Sequence, residues 1–247
     1  MGHATPYMIR QRKWSALRLL QSVDKCTVRI NAEKMGWLRE FLWYDLCAEL
    51  DAKNLYGALT QRRGKYSPEF WRFADAWYED EMNHARGFAR VMNLVFGVSD
   101  DAIMVEAESR PHDFGELEEF LDCELPLCVV FAYDEYASVM TYSKDKFYGS
   151  LGSAALEEWI RRVRGDEAIH FGNLVRLIRH RFPRDLTQVE AIIKRVIKIE
   201  QEARPYRGTF LFDHECPHFQ VSKDDLETVC AATVLRKIQR TFPGGDK

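Results

Sequence analysis

The pentapeptide Asp80-Glu81-Met82-Asn83-His84 returns as Asp166-Glu167-Ala168-Ile169-His170, and each copy lies deep in a stretch whose apolar residues fall three and four apart. On a helix, residues three apart share a face, so each Glu and His present their donors on one side. A lone Glu-x-x-His is weak evidence, since 21 Glu and 7 His in 247 residues give about 0.6 by chance. Requiring a preceding Asp lowers that to about 0.04, and the chain holds two. Two such helices either converge on one centre or stand apart as solvated acidic faces.

Helical spacing and caps predict an all-α chain, with no sustained strand-like alternation. A first helix is expected from about Ala32 to Leu59, with Leu38, Phe41, Leu42, Ala48, Ala52 and Leu55 on its stripe, ending at Arg63-Gly64-Lys65. Ser67-Pro68-Glu69 supplies an N-cap, a first-turn proline and an acid for a second helix that stops at Gly97. A third helix is expected from about Phe114 to Phe147, interrupted or kinked at Pro126, and a fourth from Ser153 to Arg181 after the Gly149–Gly152 loop. Thr187 with Glu190 and Ser222 with Asp225 read as capping boxes for two more helices, about 187–203 and 223–241. One domain then spans 1–247: an N-terminal extension over 1–31 with a short amphipathic helix near Trp14, Leu17, Leu19 and Leu20, a four-helix unit over 32–183, and two C-terminal helices over 184–247. Gly208 to Val221 between those two helices is irregular and aromatic, a lid or a connection.

In an antiparallel helix pair, residues at one height lie equally far on either side of the turn. Counting back from Glu81 through a turn centred near Gly64 or Lys65 reaches Glu49, and counting back from Glu167 through Leu151 reaches Glu135; both separations are 32 residues. Asp45, one turn before Glu49, and Asp134, beside Glu135, are rivals for those places. Four carboxylates and two imidazoles, Glu49, Glu81, His84, Glu135, Glu167 and His170, suit two divalent cations, because four negative charges offset four positive ones inside a protein. Oxygen and imidazole donors without thiolate favour iron or manganese over structural zinc, with iron preferred and manganese or a mixed pair left open.

The series Glu49, Glu81-x-x-His84, Glu135, Glu167-x-x-His170 resembles the ferritin-like di-iron carboxylate superfamily, in which two helices each give a Glu and two others each give Glu-x-x-His. The resemblance covers roughly 32–183. It implies a ferritin-like four-helix bundle with two additional C-terminal helices, a di-iron centre that activates dioxygen, and a role as an oxygenase, hydroxylase or desaturase on a small organic or carrier-bound acyl substrate. It further implies an external electron donor, a ferredoxin or reductase, since the chain has no flavin or nicotinamide fingerprint. Asp80 and Asp166 look like the aspartates that orient the histidines in hydroxylases. Phe88 stands where ribonucleotide reductase small subunits keep a radical tyrosine, and Val163 where N-oxygenases add a histidine. The alternatives are ferritin- or rubrerythrin-like iron handling and, last, a catalytically silent partner subunit.

Thirty-five Lys+Arg against 38 Asp+Glu give a net charge of −3, which argues against a surface committed to nucleic acid. No run of eighteen apolar residues occurs, no apolar signal segment follows the N-terminal basic residues, and the six cysteines form no Cys-x-x-Cys, so a cytoplasmic protein with reduced thiols is expected; homodimerisation stays open. Asp213-His214-Glu215-Cys216-Pro217-His218 is a second, weaker metal candidate, because Pro217 opposes helical presentation. Tyr133, Tyr136 and Tyr142, with Trp43 and Tyr44, line a pocket or fill the core. Arg161, Arg162, Arg164, Arg176, Arg179, Arg181 and Arg184 form either a dock for an acidic partner or anionic substrate, or a solvated face.

Overall fold

The computed structural model describes residues 7–25, 28, 35–144, 152–202, 206–213 and 221–240, and every regular element among them is helical. The helices are α1 (Ala16–Leu20), α2 (Met35–Leu50), α3 (Ala52–Gln61), α4 (Pro68–Phe96), α5 (Asp100–Glu108), α6 (Glu118–Leu121), α7 (Glu124–Lys144), α8 (Ala154–Arg181), α9 (Gln188–Gln201), α10 (Lys223–Asp225) and α11 (Ala231–Gln239), with a π-helical turn at Leu226–Cys230. None of these helices is long and apolar enough to cross a membrane.

Helix α4 begins as the sequence predicts. Ser67 Oγ accepts from Phe70 N at 3.1 Å, Pro68 opens the first turn where its missing N–H has no acceptor to lose, and Gly97 closes the helix at φ 75°. The Ser222–Asp225 capping box also forms, whereas Thr187 makes no side-chain cap, its backbone being already helical at φ −68°. The expected single helix from Ala32 to Leu59 divides at Asp51. The Asp51 backbone stays in the helical region at φ −66°, and its buried carboxylate is taken by Arg110 Nη2 at 2.6 Å and by the Tyr206 hydroxyl. The third stretch is interrupted as expected, but at residues 122–123 between α6 and α7 and not at Pro126. The helix starts at Glu124, so the proline falls in the first turn, where backbone N–H groups have no partner within the helix. Helix α5, capped by Ser99, buries only Ile103 and Ala107 and gives little periodic signal.

Helix α2 packs on α4, α7 on α8, and α4 on α8, so the two motif helices meet directly while α2 and α7 flank them. Two apolar clusters result. One joins α3, the first half of α4, α7, the second half of α8, α9 and α11; the other joins α1, α2, α5 and the remaining halves of α4 and α8. Met82 touches both clusters, and its neighbour Glu81 sits at the level where they meet.

Candidate metal centre

The six candidate donors converge at that junction. Glu49, Glu81, His84 and Glu167 bring one ligand atom each within 4.8 Å of one another, and so do Glu81, Glu135, Glu167 and His170; all six residues are buried. Glu81 and Glu167 belong to both sets. His84 Nδ1 lies 3.1 Å from Glu49 Oε2 and 3.2 Å from Glu167 Oε1, while His170 Nδ1 lies 3.1 Å from Glu135 Oε2 and 3.2 Å from Glu81 Oε1. The mirrored count appears in space: His84 meets Glu49 and His170 meets Glu135, each across 35 residues. Asp45 is buried too but stands outside both sets, and Asp134 accepts from Phe212 N at 3.0 Å, holding the 206–213 loop to α7.

Both Glu81 oxygens, Glu135 Oε1 and Glu167 Oε1 have no hydrogen-bond partner among the described residues. Buried polar atoms left in this way cost about 1–3 kcal/mol each in an ordinary core. Carboxylate oxygens aimed at one another and at imidazole Nδ1 atoms, without hydrogen-bond geometry, are what a cation needs. The residues fit two hard or borderline divalent ions with oxygen and imidazole donors.

The titration behaviour of the cluster has the same cause. Burial, with the facing charges of Glu167 and Glu49, holds the Glu81 carboxyl well above the usual carboxylate range. Burial also raises Glu135, against the pull of His170. Burial alone would lower both imidazoles, but Glu49 and Asp166 around His84, and Glu135 and Asp80 around His170, hold them well above the ordinary histidine value. Burial pushes Glu167 up as well, yet its two histidines prevail and keep it low. Protons on these groups do the neutralising that two divalent cations would do.

The other ring nitrogen of each histidine donates outward across the helix pair, His84 Nε2 to Asp166 Oδ2 at 3.2 Å and His170 Nε2 to Asp80 Oδ2 at 3.1 Å. Such a carboxylate fixes ring orientation and turns Nδ1 inward, toward Glu49 Oε2 for His84 and Glu135 Oε2 for His170, where it would meet a metal. Behind the aspartates stand residues that sequence reasoning left in an unassigned extension. Gln11 Nε2 donates to Asp80 Oδ1 at 2.9 Å; Arg12 Nε and Nη2 donate to Asp166 Oδ1 at 3.0 and 2.8 Å; Trp14 Nε1 donates to Asp166 Oδ2 at 2.6 Å. Gln11 and Arg12 lie in a polar run ahead of α1 with no periodic signal, and Trp14 reads from the sequence only as part of the short amphipathic helix. Gly165 admits the arginine, since a Cβ there would lie 2.9 Å from the guanidinium carbon.

The remaining candidates divide. Tyr142 donates to Glu49 Oε1 and lines a surface cavity of about 350 Å³ with Glu157, Ile160, Arg161 and Arg164. Tyr133 is core, Tyr136 packs against Phe171 with ring centroids 5.0 Å apart, Tyr44 meets Tyr206 at 5.0 Å, and Trp43 packs at the edge of the second cluster. Arg161 and Arg162 pair with Glu158, Arg181 with Glu124, Arg179 donates to the Ile238 carbonyl, and Arg176 to Asn173, so most of the basic series serves structure. Residues 214–218 of the second metal candidate lie outside the described residues, and the buried Asp213 accepts from Thr209 N within its own loop. Cys47, Cys123, Cys128 and Cys230 are free thiols, as expected. No family model, curated protein or solved structure matches the chain.

Proposed function

We propose that this protein is a di-iron oxidoreductase of the ferritin-like carboxylate type, using dioxygen to oxidise a small organic or acyl substrate. The observation that carries the reading is the pair of buried four-donor sets sharing Glu81 and Glu167, rich in carboxylate and free of thiolate. Glu49 with His84 would serve one iron, Glu135 with His170 the other, and Glu81 and Glu167 both. Bound there, two ferrous ions supply the electrons and open positions for dioxygen activation. The chain's own part is positional. Asp80 and Asp166 hold the imidazoles, the two apolar clusters keep bulk water from the donors, and Tyr142 keeps a proton at Glu49 Oε1. The cavity against Tyr142 favours an organic substrate over iron storage, because it brings a surface opening to the residue that touches a donor. Further electrons would come from a separate ferredoxin or reductase.

Anaerobic loading with Fe(II), followed by oxygen exposure under optical and Mössbauer observation, tests the proposal. Two irons per chain that oxidise together are expected, and Glu81→Ala and His170→Ala should lose them. Fewer than two irons in the wild type, or unchanged binding in both variants, would refute the centre. Continued uptake far beyond two irons in a closed cage would favour storage instead.

A further inference from the structure

We infer that the N-terminal segment 7–20 is a working part of the metal centre, a strap that holds the two histidine-supporting aspartates and holds each through different residues. The strap is docked independently of them. Arg10 exchanges hydrogen bonds with the Asn173 side chain, its N donating to Oδ1 at 2.9 Å and its carbonyl accepting from Nδ2 at 2.8 Å, while Ala16 N donates to Asn83 Oδ1 at 2.8 Å. One end is thus fixed to α8 and the other to α4, and the residues between cross the pair of helices that bear the motifs.

Every oxygen of the two aspartates is used. Asp80 gives Oδ2 to His170 and Oδ1 to Gln11, whose amide also donates to the Ala76 carbonyl at 3.0 Å. Asp166 gives Oδ2 to both His84 and Trp14, and Oδ1 to the Arg12 guanidinium, which also reaches the Arg162 carbonyl at 2.8 Å. The Trp14 indole is itself seated, its ring centroid 6.1 Å from that of His84 and under the Arg162 guanidinium at 5.7 Å. A carboxylate held at both oxygens cannot rotate away from its histidine. Losing the carboxylate that orients a ligating histidine characteristically costs about 10- to 100-fold in metal affinity, and a strap residue that fixes that carboxylate should carry the lower end of that range. Because Gln11 serves only Asp80, while Arg12 and Trp14 serve only Asp166, the strap's residues are positioning residues for one metal position each.

This inference rests on the di-metal reading, and its test separates the two. Full-length wild type, Gln11→Ala, Trp14→Phe, Arg12→Ala and Arg12→Lys are titrated anaerobically with Fe(II), with Mössbauer spectra of the loaded proteins and thermal melts of the metal-free ones. Lys13→Ala is the control, since Lys13 lies on the same strap but pairs with the exposed Glu79. Gln11→Ala should weaken one iron about tenfold or more and perturb one quadrupole doublet; Trp14→Phe and Arg12→Ala should weaken and perturb the other; Arg12→Lys should recover part of the loss; Lys13→Ala should match wild type. A general loss of stability would weaken both irons together, which would overturn the assignment. Tighter binding in Arg12→Ala would also overturn it, because the guanidinium would then act only as a nearby positive charge. Wild type that takes up no iron ends the metal reading and this inference with it; wild type with two irons and variants that all match it ends this inference alone.

Discussion

Replacing Glu81 by Gln should move the stability of the metal-free and metal-loaded proteins in opposite directions. In the metal-free protein both Glu81 oxygens are fully buried, and burial with the facing charges of Glu167 and Glu49 outweighs the pull of His170 Nδ1 at 3.2 Å and of His84. A neutral amide removes the ionisable group and offers N–H donors to those carboxylates, relieving about 2 kcal/mol at the usual cost of buried unsatisfied polar atoms. In a chain of this length that raises the melting temperature by roughly 4–8 °C. The pH dependence has a definite sign. A carboxyl whose folded pKa lies above its unfolded value binds more protons in the folded state, so its stability contribution is complete at acid pH and is lost as pH rises toward the folded pKa. The advantage of Gln should therefore vanish near pH 4 and grow toward neutrality. With metal at 100 times its Kd, each occupied position adds about 2.7 kcal/mol to the wild type, roughly 10–20 °C for two, and the variant should lose most of that shift because Glu81 serves both positions. Calorimetry of chelator-treated and Fe(II)-loaded proteins between pH 4 and pH 8 measures both effects. A metal-free variant less stable than wild type at neutral pH, or one that keeps the full metal shift, would refute the reasoning.

Gly165→Ala places a methyl group against the Arg12 guanidinium, which can swing aside, while alanine in the helix interior gains about 0.5–1 kcal/mol; overall stability should therefore change little and the binding of a single iron should weaken, read by melts and Fe(II) titration. Arg110→Ala leaves the buried Asp51 carboxylate without its cation and should destabilise by about 3–5 kcal/mol in urea unfolding; a change below 1 kcal/mol would mean that Tyr206 alone satisfies it. Burial pushes the Cys47 thiol up to about 12 and raises Cys128 and Cys230 as well, whereas Cys123 is exposed. Iodoacetamide at pH 8 followed by peptide mapping should label Cys123 and spare the other three until the protein is unfolded.

The paired Asp-Glu-x-x-His motifs carried most of what was legible in advance. Local spacing alone puts Glu81 and His84 on one helix face and Glu167 and His170 on another, and a short turn between antiparallel helices turns that into a count, which reached Glu49 and Glu135. Ser67-Pro68 and Gly97 bounded α4 because caps depend on side chains within a few residues. Where the outcome depended on a distant partner, reading the sequence erred. Asp51 marks the division between α2 and α3, and Arg110 and Tyr206 claim its carboxylate from 59 and 155 residues away. Pro126 falls in the first turn of α7, which starts at Glu124, whose carboxylate accepts from Ser67 N and Oγ 57 residues away.

The sequence by itself determined the helical class, the two Asp-Glu-x-x-His faces and the mirrored count that reached Glu49 and Glu135 as candidate donors, since these follow from period, caps and chemistry within a few turns. Only the tertiary structure decided that Glu49 and not Asp45 enters the donor sets, that Glu81 and Glu167 belong to both, and that Gln11, Arg12 and Trp14 stand behind the aspartates. Those choices turn on ångström differences in how helices pack and on hydrogen bonds spanning 69 to 154 residues, which no local pattern encodes.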